Sequence, residues 1–268
     1  MSQILIGTSG YSYSDWVGPV YPPATAAKDY LKFYAQQFNM VELNFSYYRQ
    51  PDQHTMERMA CMTGDSFRFA VKAHKNLTHD ISSNVKSDAA VFRQGIAPLL
   101  YAAKLGAVLL QFPYSFHYTP PARRYLANLC GYLEGLPLAV EFRNSEWQKE
   151  AVVEGLRKRG VALVNVDEPD LPGLIKPAAE VTAPRSYVRF HGRNKANWWQ
   201  GDNASRYDYT YTDDQLEEWA PRLGAMAGAS QIVLVAFNNH FRGQAVRNAR
   251  RLRELLEQHG IVTGREGF

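Results

Sequence analysis

At 268 residues, with 46% hydrophobic and 21% charged side chains, the chain has the make-up of an ordinary globular protein with ample material for a large core. That composition excludes a low-complexity chain. The formal charge of +4 is small for this length, so it permits an anionic partner without demanding one and does not by itself indicate nucleic-acid binding.

Ile4 to Ser9 reads as a first strand, followed by a loop from Gly10 to Pro23 rich in Tyr11, Tyr13, Trp16 and Tyr21. Asp29 to Phe38 has aromatic residues near helical spacing. Met40 to Asn44 is a second strand, with Val41 and Leu43 facing helices and Glu42 and Asn44 facing inward. A helix from Asp52 to Met62 leads to a third strand, Phe67 to His74, whose alternation sets Ala70, Lys72 and His74 inward. A one-residue slip would reverse that assignment. Ala89 to Lys104 reads as a helix that Gly95 and Pro98 kink or break.

Leu105 to Phe112 is a fourth strand with Ala107, Leu109 and Gln111 on one face. Arg123 to Leu133 is a helix behind Pro120 and Pro121. It leads to Leu138–Trp147, an apolar run that stops on charge: Ala139, Glu141 and Arg143 share one face, and Leu138, Val140 and Phe142 the other. Glu150 to Lys158 is a helix closed by Gly160. Val161 to Asp167 is a sixth strand, read with Leu163, Asn165 and Asp167 inward, and the four prolines between Glu168 and Pro184 disfavour a helix there.

Ser186 to His191 places Tyr187, Arg189 and His191 on one face, and its following loop carries Trp198 and Trp199. Asp213 to Met226 reads as helical, Gln231 to Phe237 as the last strand, ending on Asn238, Asn239 and His240, and Gly243 to His259 as the last helix. Strands and helices alternating about eight times predict a single α/β domain over 1–268, a TIM-type (β/α)8 barrel of parallel strands. The apolar run Ile4 to Ile6 is too short for a signal-peptide core, and no run approaches the ~20 apolar residues of a membrane span. Cys61 and Cys130 offer no metal knuckle or disulfide scaffold. The expectation is a cytoplasmic protein with no membrane partner.

Several stretches resemble the YecE-like family, known as domain of unknown function 72. They are GTSGYSYSDWVGPVYP from Gly7, VELNFSYYRQP from Val41, FAVKAHKNLTH from Phe69, LLQFP from Leu109, AVEFRNSEW from Ala139, YVRFHGRN from Tyr187 and FNNHFRGQAVRNA from Phe237. They run in family order along nearly the whole chain. The resemblance implies a TIM-barrel fold and brings no established reaction. Tyr11 and Phe45-Ser46 depart from the family wording, which touches the aromatic rim more than the charged wall.

In such a barrel the polar strand ends gather at the C-terminal mouth, where barrel enzymes keep their sites. Glu42, Glu141, Asp167 and His191 are the candidate acid–base residues, with Glu42 and Glu141 placed to act as a carboxylate pair. Lys72, Arg143 and Arg189 are candidates to hold a phosphate or carboxylate, helped by the helix start near Gly243. Asn44, His74, Gln111 and Asn238 complete the expected substrate wall, and Trp16, Tyr47, Tyr48, Trp198 and Trp199 can stack on a sugar or base. The competing reading is a buried salt-bridge network that closes the barrel without chemistry. A metal held by His74, His191 and His240 with Glu141 and Asp167 lacks any supporting local spacing. Arg247, Arg250, Arg251 and Arg253, interleaved with Glu254 and Glu257, read as a solvated face.

The leading expectation is therefore an enzyme, a hydrolase or isomerase, acting by acid–base chemistry on a small anionic, phosphorylated or sugar-like substrate without cofactor or metal. The alternatives are a nucleic-acid binder or phosphodiesterase, and a non-catalytic ligand-binding barrel.

Overall fold

In the computed structural model, residues 3–81 and 83–264 are described, the side chains at 203 and 204 excepted. Eight parallel strands close a barrel in sequence order: β1 (Gln3–Ser9), β2 (Met40–Leu43), β3 (Arg68–Lys72), β4 (Leu105–Gln111), β5 (Leu138–Glu141), β6 (Ala162–Asp167), β7 (Arg185–Phe190) and β8 (Ile232–Phe237), with β8 paired back onto β1. Closure leaves no exposed strand edge, and alternation sorts the side chains into two layers. Outside, Val41, Val71, Val108, Val140 and Val235 pack under the helices in one large cluster. Inside, Leu5, Met40, Ala70, Leu109, Ala139, Val164, Tyr187 and Leu234 fill the barrel. The inner positions are apolar toward the N-terminal ends of the strands and turn polar toward their C-terminal ends, at Glu42, Lys72, Gln111, Glu141 and Arg189. That gradient along the barrel axis is what positions the site.

Strand β6 departs from the expected register. Leu163 packs outward, and Ala162, Val164 and Val166 point inward, so Asn165 and Asp167 leave the barrel interior. The six residues Ala162–Asp167 alternate small apolar with larger or polar side chains, and the apolar set fits the closed interior better. Outside, Asn165 exchanges hydrogen bonds with the backbone of Glu180, accepting at 2.8 Å and donating at 2.9 Å. The partner lies in the proline-rich segment between β6 and β7, which forms no helix and runs as a strap over this face.

The helix Val85–Tyr101 runs unbroken through Gly95 and Pro98, so the break expected there does not occur. Pro98 has no N–H for the carbonyl of Gln94, and the Gln53 side chain donates to that carbonyl at 3.1 Å instead. Gly95 allows the carbonyl of Pro51 to approach so closely that a Cβ there would sit 2.0 Å from its oxygen. The expected helix from Asp213 to Met226 is two helices, Asp213–Glu217 and Ala220–Ala229, the second starting with Pro221 in its first turn. No helix among the described residues is long and apolar enough to cross a membrane.

Candidate functional site at the barrel mouth

A cavity of about 810 Å³ opens at the C-terminal ends of the strands, floored by Glu42, Lys72, Gln111 and Arg189 and walled by residues of the loops that follow. Beneath it lies a layer of buried charge. Arg189 donates to both oxygens of Glu42, from Nε at 2.8 Å and Nη2 at 2.7 Å, and reaches Glu141 Oε2 from Nη1 at 2.5 Å. Tyr187 adds a hydroxyl donated to Glu42 at 2.6 Å. Glu141 Oε1 accepts from Arg143 Nε at 2.5 Å and stands 3.1 Å from His191 Nε2. Burial pushes the Glu141 carboxyl up, but Arg189, Arg143 and His191 outweigh it and hold it well below the usual carboxylate range. Both glutamates are fully buried with their oxygens engaged, which is the arrangement of an ion-pair lattice rather than of two carboxylates poised over a substrate.

His191 belongs to the same lattice. Two donors face its Nδ1, Asn238 Nδ2 at 3.2 Å and Arg143 Nη2 at 3.4 Å, so the ring proton is assigned to Nε2, where it donates to Glu141. Burial, with Arg143 beside it, lowers its pKa to about 3 and keeps the imidazole neutral. Asn238 and Gln111 line the cavity, Gln111 spending its amide on the Phe112 carbonyl at 2.8 Å. Asn44 also lines it, and its Oδ1 is buried with no hydrogen-bond partner among the described residues.

Lys72 is different. Its ammonium stands 4.4 Å from the centre of the Tyr47 ring and has no carboxylate partner or hydrogen-bond acceptor among the described residues. Burial, with Arg189 close by, lowers its pKa to about 8. Arg206 also lines the cavity, and its buried Nε has no hydrogen-bond partner among the described residues. Trp198 walls the mouth with the Arg143 guanidinium 5.8 Å above its ring, and Trp199, half exposed, closes the rim edge-on to Tyr114.

Three expected wall residues lie elsewhere. β3 ends at Lys72, so its alternation does not extend to His74, whose Nδ1 instead caps the short turn Lys75–Leu77 by accepting from the Asn76 amide. Trp16 is fully buried behind the rim, donating to the His240 carbonyl at 2.8 Å. Asp167, turned outward by the register of β6, is saturated by four donors: Arg193 Nε at 2.9 Å and Nη2 at 2.6 Å, Tyr211 at 2.7 Å and Trp219 at 2.8 Å. It anchors the loops after β7 to the outside of the barrel. The helix start near Gly243 is likewise turned from the mouth. Its Arg242 amide is taken by Asp15, its Gly243 amide by the His240 carbonyl, and the glycine packs against Val20. His74, His191 and His240 do not converge, and no three metal-ligating side chains gather among the described residues.

Three participants lay outside the expected set, for two different reasons. Glu168 is the next inward step after Val164 and Val166, a signal visible once β6 is read in its true register. It is buried beside Arg143, 3.4 Å from Nη1, and accepts from the Ile175 amide at 3.0 Å. Burial raises its pKa to about 8, the long contact to Arg143 being too weak to offset it. Arg206 and His79 come from connecting segments whose return over the mouth is a matter of tertiary packing.

Comparison with known proteins places this architecture. Residues 5–266 match the family model described as protein of unknown function DUF72. The chain is 31% identical over 270 residues to the UPF0759 protein YunF of Bacillus subtilis (strain 168), covering 95% of each. It superposes on the crystal structure of a DUF72 family protein of Thermotoga maritima MSB8 with a TM-score of 0.88 at 36% identity, over 95% of this chain and 99% of that one. A DUF72 family protein of Enterococcus faecalis V583 is similar at a TM-score of 0.84 and 27% identity, over 95% of this chain and 96% of that one.

Proposed function

The chain belongs to the DUF72 family, and since that membership names no reaction, we propose from the chemistry of the mouth an enzyme that acts by acid–base chemistry on a small anionic substrate, phosphorylated or sugar-like. The observation that carries this reading is the excess of cations in the cavity. Lys72, Arg143, Arg189 and Arg206 line it; Glu42 and Glu141 neutralise Arg189 and Arg143, leaving Lys72 and Arg206 for a ligand. A cavity of about 810 Å³ suits a small molecule, since ligand pockets run to roughly 300–1,000 Å³. The aromatic walls, Trp198 and Tyr207 among them, suit the apolar face of a sugar.

In this reading Glu42, Glu141 and His191 hold Arg189 and Arg143 in place, and Lys72, whose pKa of about 8 lies near neutrality, is the group in the cavity best matched to moving a proton. Calorimetric titration with ribose 5-phosphate, against ribose as the neutral control, tests it. The expected result is binding of the phosphate ester alone, weakened at least tenfold by Arg206→Gln. Equal affinity for both sugars, or no effect of Arg206→Gln, overturns the reading. Tighter binding of single-stranded oligonucleotides with a steep salt dependence would favour a nucleic-acid ligand instead.

A further inference from the structure

We propose that Lys72 is an imine-forming nucleophile for a small carbonyl compound that carries a phosphate or carboxylate, a step that rests on the anion-binding reading of the same mouth. The inference begins from position. Lys72 is the last residue of β3 and the next inward step after Ala70, so its amine stands at the floor of the cavity, at the C-terminal end of the barrel. The carboxylates nearest to it, Glu42 and Glu141, are already taken by Arg189, Arg143, Tyr187 and His191. Lys72 is thus not the cation of a structural ion pair.

Lys104 shows what a structural lysine looks like in this fold: it is buried, and its ammonium donates to the carbonyls of Ala60 and Thr63 at 2.7 and 2.6 Å. The Lys72 amine has no such acceptor among the described residues and faces open volume, held against the Tyr47 ring. Arginines and a lysine therefore divide the work of the mouth. The planar guanidinium of Arg206 suits a fixed anion, whereas the Lys72 amine can lose a proton and attack. Burial first, and then the cationic neighbour Arg189, favour its free amine, offset in part by Glu42 and Glu141, and the pKa of about 8 leaves roughly a tenth of it unprotonated at pH 7.

The chemistry balances without an oxidant or cofactor. The free Nζ adds to the carbonyl carbon as the C=O π bond breaks, and a proton passes from nitrogen to oxygen to give the carbinolamine. A second proton, taken from solvent, allows that oxygen to leave as water and the iminium to form; addition of water reverses the sequence. His79 lines the cavity beside Tyr47, with its ring 4.9 Å from that ring and its Nδ1 2.9 Å from the Thr78 hydroxyl. Its pKa, lowered to about 4 chiefly by burial and then by Lys72, keeps it neutral and able to relay these protons. The iminium draws electrons from the adjacent carbon, the requirement of aldol cleavage, decarboxylation and keto–enol isomerisation alike.

The test incubates the full chain with dihydroxyacetone phosphate, and separately with pyruvate, in the presence of sodium cyanoborohydride, followed by intact-mass and peptide mass spectrometry. The expected result is a single stable adduct on Lys72, at least tenfold above any other lysine, rising with pH through about 8 and absent from Lys72→Arg and Lys72→Met. Binding of the non-carbonyl analogue glycerol 3-phosphate is measured in parallel by calorimetry. Binding of glycerol 3-phosphate with no selective adduct on Lys72 from either carbonyl probe overturns the nucleophile while leaving the anion site standing. Failure of the phosphate esters to bind at all, with no adduct, overturns both.

Discussion

Replacing Lys72 by methionine stabilises the protein at neutral pH, because the wild-type fold holds a charged amine over Tyr47 with no anionic partner among the described residues. A pKa of about 8 in place of 10.5 corresponds to ~3 kcal/mol of penalty on the charged form, at about 1.36 kcal/mol per pH unit. Solvent in the open mouth reduces this to ~2 kcal/mol, and loss of the contact to Tyr47 returns ~0.5–1 kcal/mol. The net gain is about 1 kcal/mol, a rise of ~2–4 °C in Tm for a chain of this size.

The sign of the pH dependence follows from the direction of the shift. Below pH 8 the lysine is charged in both states, and the folded state carries the whole cost. Between pH 8 and 10.5 the unfolded chain binds the extra proton, so wild-type stability climbs relative to the variant, and beyond 10.5 the difference due to charge is gone. Urea unfolding of both proteins at pH 7, 9 and 10.5 reads this directly. A Lys72→Met variant that is less stable than wild type at pH 7, or whose advantage does not shrink by pH 10.5, refutes the account of Lys72 as an unpaired cation.

Arg189→Met strips Glu42 and Glu141 of the guanidinium they share and is expected to cost ~3–5 kcal/mol, a fall of ~10 °C in Tm by calorimetry; a loss under 1 kcal/mol would mean the lattice relaxes freely. Asp167→Asn leaves two of the four donors facing an amide NH2 and should cost ~3 kcal/mol in urea unfolding while leaving ligand affinity at the mouth unchanged, since the residue faces away from it. Acid should unfold the protein early. His191, at about 3 when folded and ~6.5 when unfolded, and Glu141, held well below the usual range, both make the unfolded chain bind more protons, so stability is complete above pH 6.5 and is lost as pH falls toward 3. A His191→Gln variant should show a shallower loss in an acid titration followed by tryptophan fluorescence.

The barrel and most of its inward wall are written in local pattern. Two-residue alternation with an apolar start and a charged finish places Glu42, Lys72, Gln111, Glu141 and Arg189 on one surface without knowledge of any partner strand, because closure of a parallel sheet leaves only one inside. Where both alternate sets are plausible the same reasoning has no purchase: in Ala162–Asp167 only the tight interior of the closed barrel selects the small apolar set, sending Asp167 out to Trp219 and bringing Glu168 in beside Arg143. Pairing is likewise a tertiary fact. Sequence places three cations and two carboxylates around one hollow, but only the folded distances decide that Arg189 and Arg143 absorb the glutamates while Lys72, joined by Arg206 from a connecting segment far along the chain, is left facing the cavity. Periodicity is a property of neighbours along the chain; partner choice also depends on angstroms between residues as distant as Glu42 and Arg189, 147 positions apart, and it is partner choice that separates a structural charge from one available for chemistry.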